Sequence, residues 1–284
     1  MPHMMTLCLA LIAFAANSFF CRLALASGAI DPGSFTLLRL FSGAVTLALL
    51  LFMRGHFHGK ASLGFLRSPI SWWSAIALFV YAVCFSYAYT ELSTGTGALL
   101  LFGMVQMTLI AYHVASGNAL SRLEKVGILA SVTGFVVLML PSAQSPSLGA
   151  ASLMLASGVA WAMFTVLGKK SGVASVAITH GFILASLLAL LASPVLLMDV
   201  TLTSSGVMWA LASGIAASGL GYILWYQVLK QITVLKASIA QLAVPVIAFL
   251  AGSIGLGETV TFSAVLASAL VLGGIAVIFV AKAE

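Results

Sequence analysis

Charge is what this sequence has least of. Asp, Glu, Lys and Arg make up 6% of the 284 residues, against 62% hydrophobic, whereas a soluble domain carries about 25% charged residues. So little polar surface cannot coat a globule of this size, so lipid must be part of its solvent. Cysteine is scarce too. Cys8, Cys21 and Cys84 lie in apolar stretches at spacings that fit no metal site, and they read as reduced, buried small hydrophobes. The net charge of +6 does not imply nucleic acid, because the cations are scattered between apolar segments and form no patch. A membrane-embedded enzyme would need a nucleophile–base pair or clustered histidines within a span. Of His3, His56, His58, His113 and His180, only His56 and His58 are neighbours, and they lie in a connecting loop. No metal or cofactor is expected.

What the chain has in abundance is apolar runs. A span needs roughly 20 such residues to cross about 30 Å of hydrocarbon. Ten candidates read out at 4–25, 34–53, 72–91, 96–116, 122–141, 147–168, 175–197, 204–229, 236–255 and 260–281. The runs are apolar on all sides, without the in–out alternation of a barrel strand. The expected class is therefore all-α, with ten transmembrane helices. "MPHMMT" at the start has no Lys or Arg, which a signal peptide needs, so the first run reads as a retained span. With the N-terminus inside, Arg54, Lys60, Arg67, Arg122, Lys125, Lys169, Lys170, Lys230, Lys236 and Lys282 all fall in cytoplasmic loops or the tail. The outer loops then hold no cation, while Asp31, Glu91, Asp199 and Glu258 fall on the outer side. This is the positive-inside pattern, with both termini cytoplasmic.

Sliding the sequence by 140 residues lays 97–140 over 237–280 without a gap, matching Gly117 to Gly257 and Gly134 to Gly274. A shift of 144 lays "ANSFFCRLALASG" over "AWAMFTVLGKKSG". The expectation is two five-helix repeats, 1–141 and 147–284. The odd number per half inverts the second, an architecture of transporters. The ninth and tenth runs, "LAVPVIAFLAGSIGLGETVTFSAVLASALVLGGIAVIF", hold Pro245, then Gly257–Glu258, then Gly273–Gly274. Together with "FAANSFFCR" around Asn17 and Arg22, Arg39 in "TLLRLFSGA", and "AWAMFTVLGKK", they resemble the EamA-type branch of the drug/metabolite transporter superfamily. That branch is a group of ten-helix bacterial metabolite exporters that includes aromatic amino-acid exporters. The first half departs from the pattern, with Val105 and Asn118 where the Pro and Glu would stand. The resemblance implies an inner-membrane secondary carrier working by alternating access.

Depth and helical spacing nominate the site. Asn17 and Trp161 are equivalent under the repeat, with Cys21 and Thr165 four residues on along the same face. Tyr81 and Phe85 share one face of the third run, and Phe102, Gln106 and His113 one face of the fourth. Gln241 and Pro245 share a face of the ninth, where Pro245 reads as a mid-helix hinge. The candidate substrate-binding set is Asn17, Tyr81, Phe85, Phe102, Gln106, Trp161, Thr165 and Gln241. For Gln106 and Gln241 a helix–helix hydrogen bond is an equal alternative, and His113 and His180 read as packing residues rather than proton carriers. Trp72, Trp73, Trp209 and Trp225, near run ends, read as interface anchors. Arg22 and Arg39 lie in the outer thirds of their runs and are expected to pair with Asp31 and Glu91 as an outer gate, since intramembrane charges seldom stay unpaired. Glu258 reads as a cap on the last helix.

No carboxylate lies near any midplane, which argues against exchange of protons for cationic drugs of the kind small multidrug antiporters perform. An aromatic, modestly polar site fits a neutral or zwitterionic metabolite such as an amino acid, moved outward. The alternatives are an anionic metabolite held by Arg22 and Arg39, a channel or lipid scramblase, or an embedded enzyme. Partners expected are a small-molecule substrate and the bilayer, with no nucleic acid, and the chain is expected to be a monomer.

Overall fold

In hydrocarbon every backbone N–H and C=O must be satisfied within the protein, and helices do this segment by segment. A computed structural model describes residues 2–53, 66, 68–117, 119–139, 146–170, 174–229 and 240–281. In order the helices are α1 (Pro2–Leu25), α2 (Pro32–Met53), α3 (Pro69–Ala88), α4 (Thr94–Ala115), α5 (Arg122–Met139), α6 (Leu148–Lys170), α7 (Ala174–Leu191), the single turn α8 (Ser193–Leu196), α9 (Ser204–Ala212), a π-helical segment Ser213–Leu220, α10 (Gly221–Leu229), α11 (Ala243–Leu256) and α12 (Phe262–Ala281). The class is all-α; among the described residues the one β contact is an isolated bridge between Ile30 and Leu202. Six stretches are long and apolar enough to cross a membrane: Met5–Leu25, Pro32–Met53, Pro69–Ala88, Thr94–Ala115, Leu148–Leu167 and Ser204–Trp225. The loop expectations at Arg54, Lys60, Arg67, Asn118, Lys230, Lys236 and Lys282 lie outside the described residues.

Local chemistry sets the ends. Pro2, Pro32 and Pro69 each open a helix, where a missing N–H costs nothing and φ is preset. The side chain of Asp31 accepts from Ser34 N at 2.8 Å to cap α2. Ser121 and Glu124 form a reciprocal capping box on α5, at 2.7 and 3.2 Å.

Ten unbroken rods are not what forms. The seventh run was expected to reach residue 197, but α7 ends at Leu191 and a separate turn follows. Pro194 has no N–H to continue the ladder, and its ring collides with the preceding turn. The ninth run was expected to carry Pro245 at mid-helix. Instead the helix breaks at Leu242 and Pro245 sits in the first turn of α11, where its lost donor is an orphan anyway. Cys8 is exposed rather than buried, because an all-apolar helix does not show from sequence which face meets lipid. Trp225 is not an interface anchor: it is 6% exposed and packs edge-on against Phe14 at 5.5 Å.

The packing exchanges partners between the halves. α1 packs on α9, the π segment, α10 and α11, while α6 packs on α3 and α4. α2 packs on the π segment and α9, and α7 on α3; α2 also packs on α7, and α5 on α12. Small residues allow the closest approaches. At the α5–α12 seam a Cβ on Gly274 would collide with the backbone of Gly127, and Ser131 Oγ donates to the Val271 carbonyl at 3.1 Å. A Cβ on Gly214, in the π segment, would meet Ser42 and the Arg39 carbonyl of α2. At the end of the bundle holding the α1–α2 turn, loops from both halves are stapled. Asp31 N donates to Thr201 O at 3.1 Å, Thr201 N to Asp31 Oδ1 at 3.0 Å and Thr203 N to Ala29 O at 3.0 Å.

Candidate functional site

Where α1, α3, α4, α6 and the π segment converge, a cavity of about 20 Å³ is walled by Asn17, Tyr81, Phe85, Phe102 and Trp161. All five are among the residues nominated from sequence. Phe14, Ser18, Leu101, Ala217 and Tyr222 complete the wall and were not nominated. The volume holds about one water, so the walls are nearly in contact. The Trp161 ring lies 4.8 Å from Tyr81 and 5.0 Å from Tyr222, the latter nearly parallel. The 144-residue shift that links Asn17 to Trp161 carries Tyr81 to Trp225 rather than to Tyr222, so the repeat did not nominate Tyr222.

Polar atoms in this wall form a chain. Ser213 Oγ donates to Asn17 Oδ1 at 2.6 Å, and Asn17 Nδ2 donates to the Tyr81 hydroxyl at 3.3 Å. Ser213 opens the π segment, whose widened turn brings both Ser213 and Ala217 to the site. Such local widening inside a helix recurs at functional sites. The other nominated residues do not reach the cavity wall. Gln106 is buried with Oε1 unpartnered, Thr165 Oγ1 donates to its own helix at Trp161 O (2.9 Å), and Gln241 is half-buried beside the break before α11.

The expected Arg–carboxylate pairing is different in the structure. Among the described residues the one ion pair joins Arg22 Nε to Glu258 Oε1 at 3.3 Å, linking α1 to the α11–α12 turn. Arg22 Nη1 also donates to the carbonyls of Tyr89 and Thr90, at 3.1 and 3.0 Å. Asp31 is instead occupied with the α2 N-terminus and Thr201. Glu91 accepts from the Ser147 hydroxyl, and Ser147 in turn caps α6 through Ala150 N at 3.2 Å. Arg39 is 1% exposed and meets no carboxylate; its guanidinium carbon lies 4.9 Å from the Tyr81 ring centre and 4.7 Å from that of Phe85. The pairing was hidden because Glu258 is 236 residues from Arg22, while the acids near in sequence were taken by helix ends.

Glu258 does not cap the helix that follows it. Thr261 does that, accepting from Ala264 N at 3.1 Å. The Glu258 carboxylate turns to α4, where both oxygens accept from Thr94 N, at 3.1 and 2.8 Å. A helix N-terminus favours an anion there. Two glycines make this possible. Gly257 takes φ of 63°, a left-handed conformation that glycine adopts without strain, and Glu258 N then returns to the Gly252 carbonyl at 3.2 Å, closing the end of α11. Gly252 leaves room for the carboxylate, since a Cβ there would overlap Glu258 Oε2. Gly252→Ala is therefore expected to push the carboxylate off Thr94 and Arg22, with a loss of about 1–3 kcal/mol. A melting temperature equal to wild type would contradict this.

The Arg22–Glu258 pair separates two spaces. On one side Tyr89, fully buried, donates to Thr94 O at 3.2 Å and meets the ring of Phe85, 4.7 Å away, at the cavity wall. On the other is a cavity of about 490 Å³ at the α1–α2 end, bordered by Glu91, Ser93, Thr96, Ser147, Thr259 and Thr261 as well as the ion pair.

Comparison with known proteins fits this arrangement. Residues 148–280 match the model of the EamA-like transporter family. An uncharacterized protein of Pseudomonas aeruginosa is 44% identical over 98% of this chain and 96% of its own length. The uncharacterized transporter YoaV of Bacillus subtilis is 24% identical over 87% of this chain and 86% of its own. An uncharacterized transporter of Archaeoglobus fulgidus is 29% identical over 70% and 72%. A solved crystal structure shares the fold, with a TM-score of 0.66 and 23% identity over 97% of this chain and 99% of that one. With a helical bundle able to span a bilayer and these relatives, the chain belongs to the EamA-like transporter family.

Proposed function

We propose that this membrane transporter is a ten-span, alternating-access carrier that exports a small neutral or zwitterionic metabolite, an amino acid or a compound like it. One observation carries the reading: a polar-lined aromatic cavity, walled by both halves, lies beneath an ion pair that also joins them. Aromatic walls with a few orienting polar atoms suit a small solute with an apolar body. The partner exchange between α1 and α6, and between α2 and α7, supports an inverted pair of five-helix repeats, 1–141 and 147–284. Such a pair can rock about a fixed central site. The Arg22–Glu258 pair serves as the outer gate, the cavity of about 490 Å³ as the outer vestibule, and the break before Pro245 as the hinge. Asp31 and Glu91 belong to the same closed end, tying loops rather than pairing with arginine. The cation distribution supports placing both termini in the cytoplasm of an inner membrane. The carrier acts as a monomer and needs no cofactor.

Purified protein in liposomes is expected to show saturable counterflow of a labelled amino acid, with exchange speeded by unlabelled solute on the far side. Flux that neither saturates nor responds to trans solute would instead indicate a channel or scramblase.

A further inference from the structure

Arg39 is a fully buried cation to which the proposed mechanism gives no role. It is 1% exposed, and its Nε and Nη1 have no hydrogen-bond partner. A guanidinium offers five donors and is never neutral, so burying it without acceptors is costly. Two aromatic faces return part of that, but they accept no N–H in the plane of the fork. Those two faces belong to Tyr81 and Phe85, which wall the central cavity. The cation is thus one ring away from the site.

We infer that Arg39 is the anchor for a carboxylate on the transported solute, and that Tyr81 and Phe85 hold its guanidinium until that carboxylate arrives. The inference deepens the transport reading and rests on it. As the cavity widens and the rings part, the fork meets a planar anion and donates two parallel charge-assisted hydrogen bonds to it. Asn17 and Tyr81, already hydrogen-bonded to each other, remain for the polar atoms at the other end of the solute. A single guanidinium among aromatic walls suits a monoanionic group better than a phosphate, which calls for more cations. The Arg22 guanidinium is engaged by Glu258 and two carbonyls, so it does not compete for this role.

The test uses the full chain purified in detergent, with Arg39→Met and Arg39→Lys, and thermal melting with and without L-phenylalanine or L-phenylalaninamide. Phenylalanine supplies the ring that the walls suit and the carboxylate that the fork suits; the amide lacks only the latter's charge. Without ligand, Arg39→Met is expected to melt at or above the wild-type temperature, because an unpaired buried charge has been replaced by a side chain of similar length. In the wild type the acid should raise the melting temperature by about 5 °C and the amide should not. In Arg39→Met the two should be indistinguishable, and Arg39→Lys should lose most of the preference, since it keeps the charge without the fork. An unliganded Arg39→Met that melts about 5 °C or more below wild type would make Arg39 a structural rivet and overturn the proposal. So would a wild type that the acid fails to stabilise over the amide. Counterflow separates the two readings. Acid-selective, Arg39-dependent stabilisation without any exchange keeps the anchor and removes the transport reading; exchange without acid selectivity does the reverse.

Discussion

Glu258→Gln is expected to slow exchange by about tenfold or more and to raise access to the central cavity from the outer side. The substitution preserves shape and removes charge. It leaves the Thr94 N–H with a weaker acceptor and Arg22 with only the carbonyls of Tyr89 and Thr90. Partly buried charge-assisted contacts of this kind carry about 1–3 kcal/mol. If the pair forms only when the outer side is closed, that energy is the bias on the closed state, and its loss shifts populations by about 5–150-fold. Arg22→Gln should give the same direction, and the double variant should be no worse than the more severe single one. A charge swap is not expected to rescue function, because Arg at position 258 would face the positive end of α4 that now holds the carboxylate. Exchange rates in liposomes for the four proteins check this; additive losses in the double variant would show that the two residues act separately.

Trp161→Ala is expected to raise the solute concentration for half-maximal exchange by about tenfold or more, while the protein still purifies folded. Its ring contacts Tyr81, Tyr222 and Phe164, at 4.8, 5.0 and 5.6 Å, each pair worth about 0.5–1.5 kcal/mol. The side chain is half-buried and faces a cavity, so truncation enlarges a space that the solute itself fills. Trp161→Phe should retain most of the affinity. A Trp161→Ala protein with unchanged half-saturation would mean that the cavity is not the binding site.

Much of this was legible because a bilayer leaves few choices. Hydrocarbon thickness sets the length of an apolar run, so helix positions follow from counting. Depth along a run then placed Asn17, Tyr81, Phe85, Phe102 and Trp161 together. Partners were harder. Glu258 lies one turn of chain from its own helix start, which made a local cap the natural reading; only the fold brings Thr94 and Arg22 to it. The π segment "SGIAASGL" suits an ordinary helix in composition. Its widening accompanies close packing of Gly214 against α2, a tertiary fact with no local signature. Gln106 and Gln241 show the limit of the polarity argument, since a polar side chain in a span turns inward without having to turn to the cavity. The seventh run splits at Pro194, which a hydropathy count over 175–197 does not register.

The central claim is that one site opens to one side of the membrane at a time. Ala217 lines the cavity from the π segment, and Ala217→Cys, in a background with Cys8, Cys21 and Cys84 replaced by Ser, places a thiol there. Its labelling by a membrane-impermeant maleimide is to be measured in vesicles of each orientation, with and without Glu258→Gln. The account predicts labelling from the cytoplasmic face, little from the outer face while the gate is intact, and a rise from the outer face with a fall from the inner one in Glu258→Gln. Equal labelling from both faces, unaffected by Glu258, would contradict it.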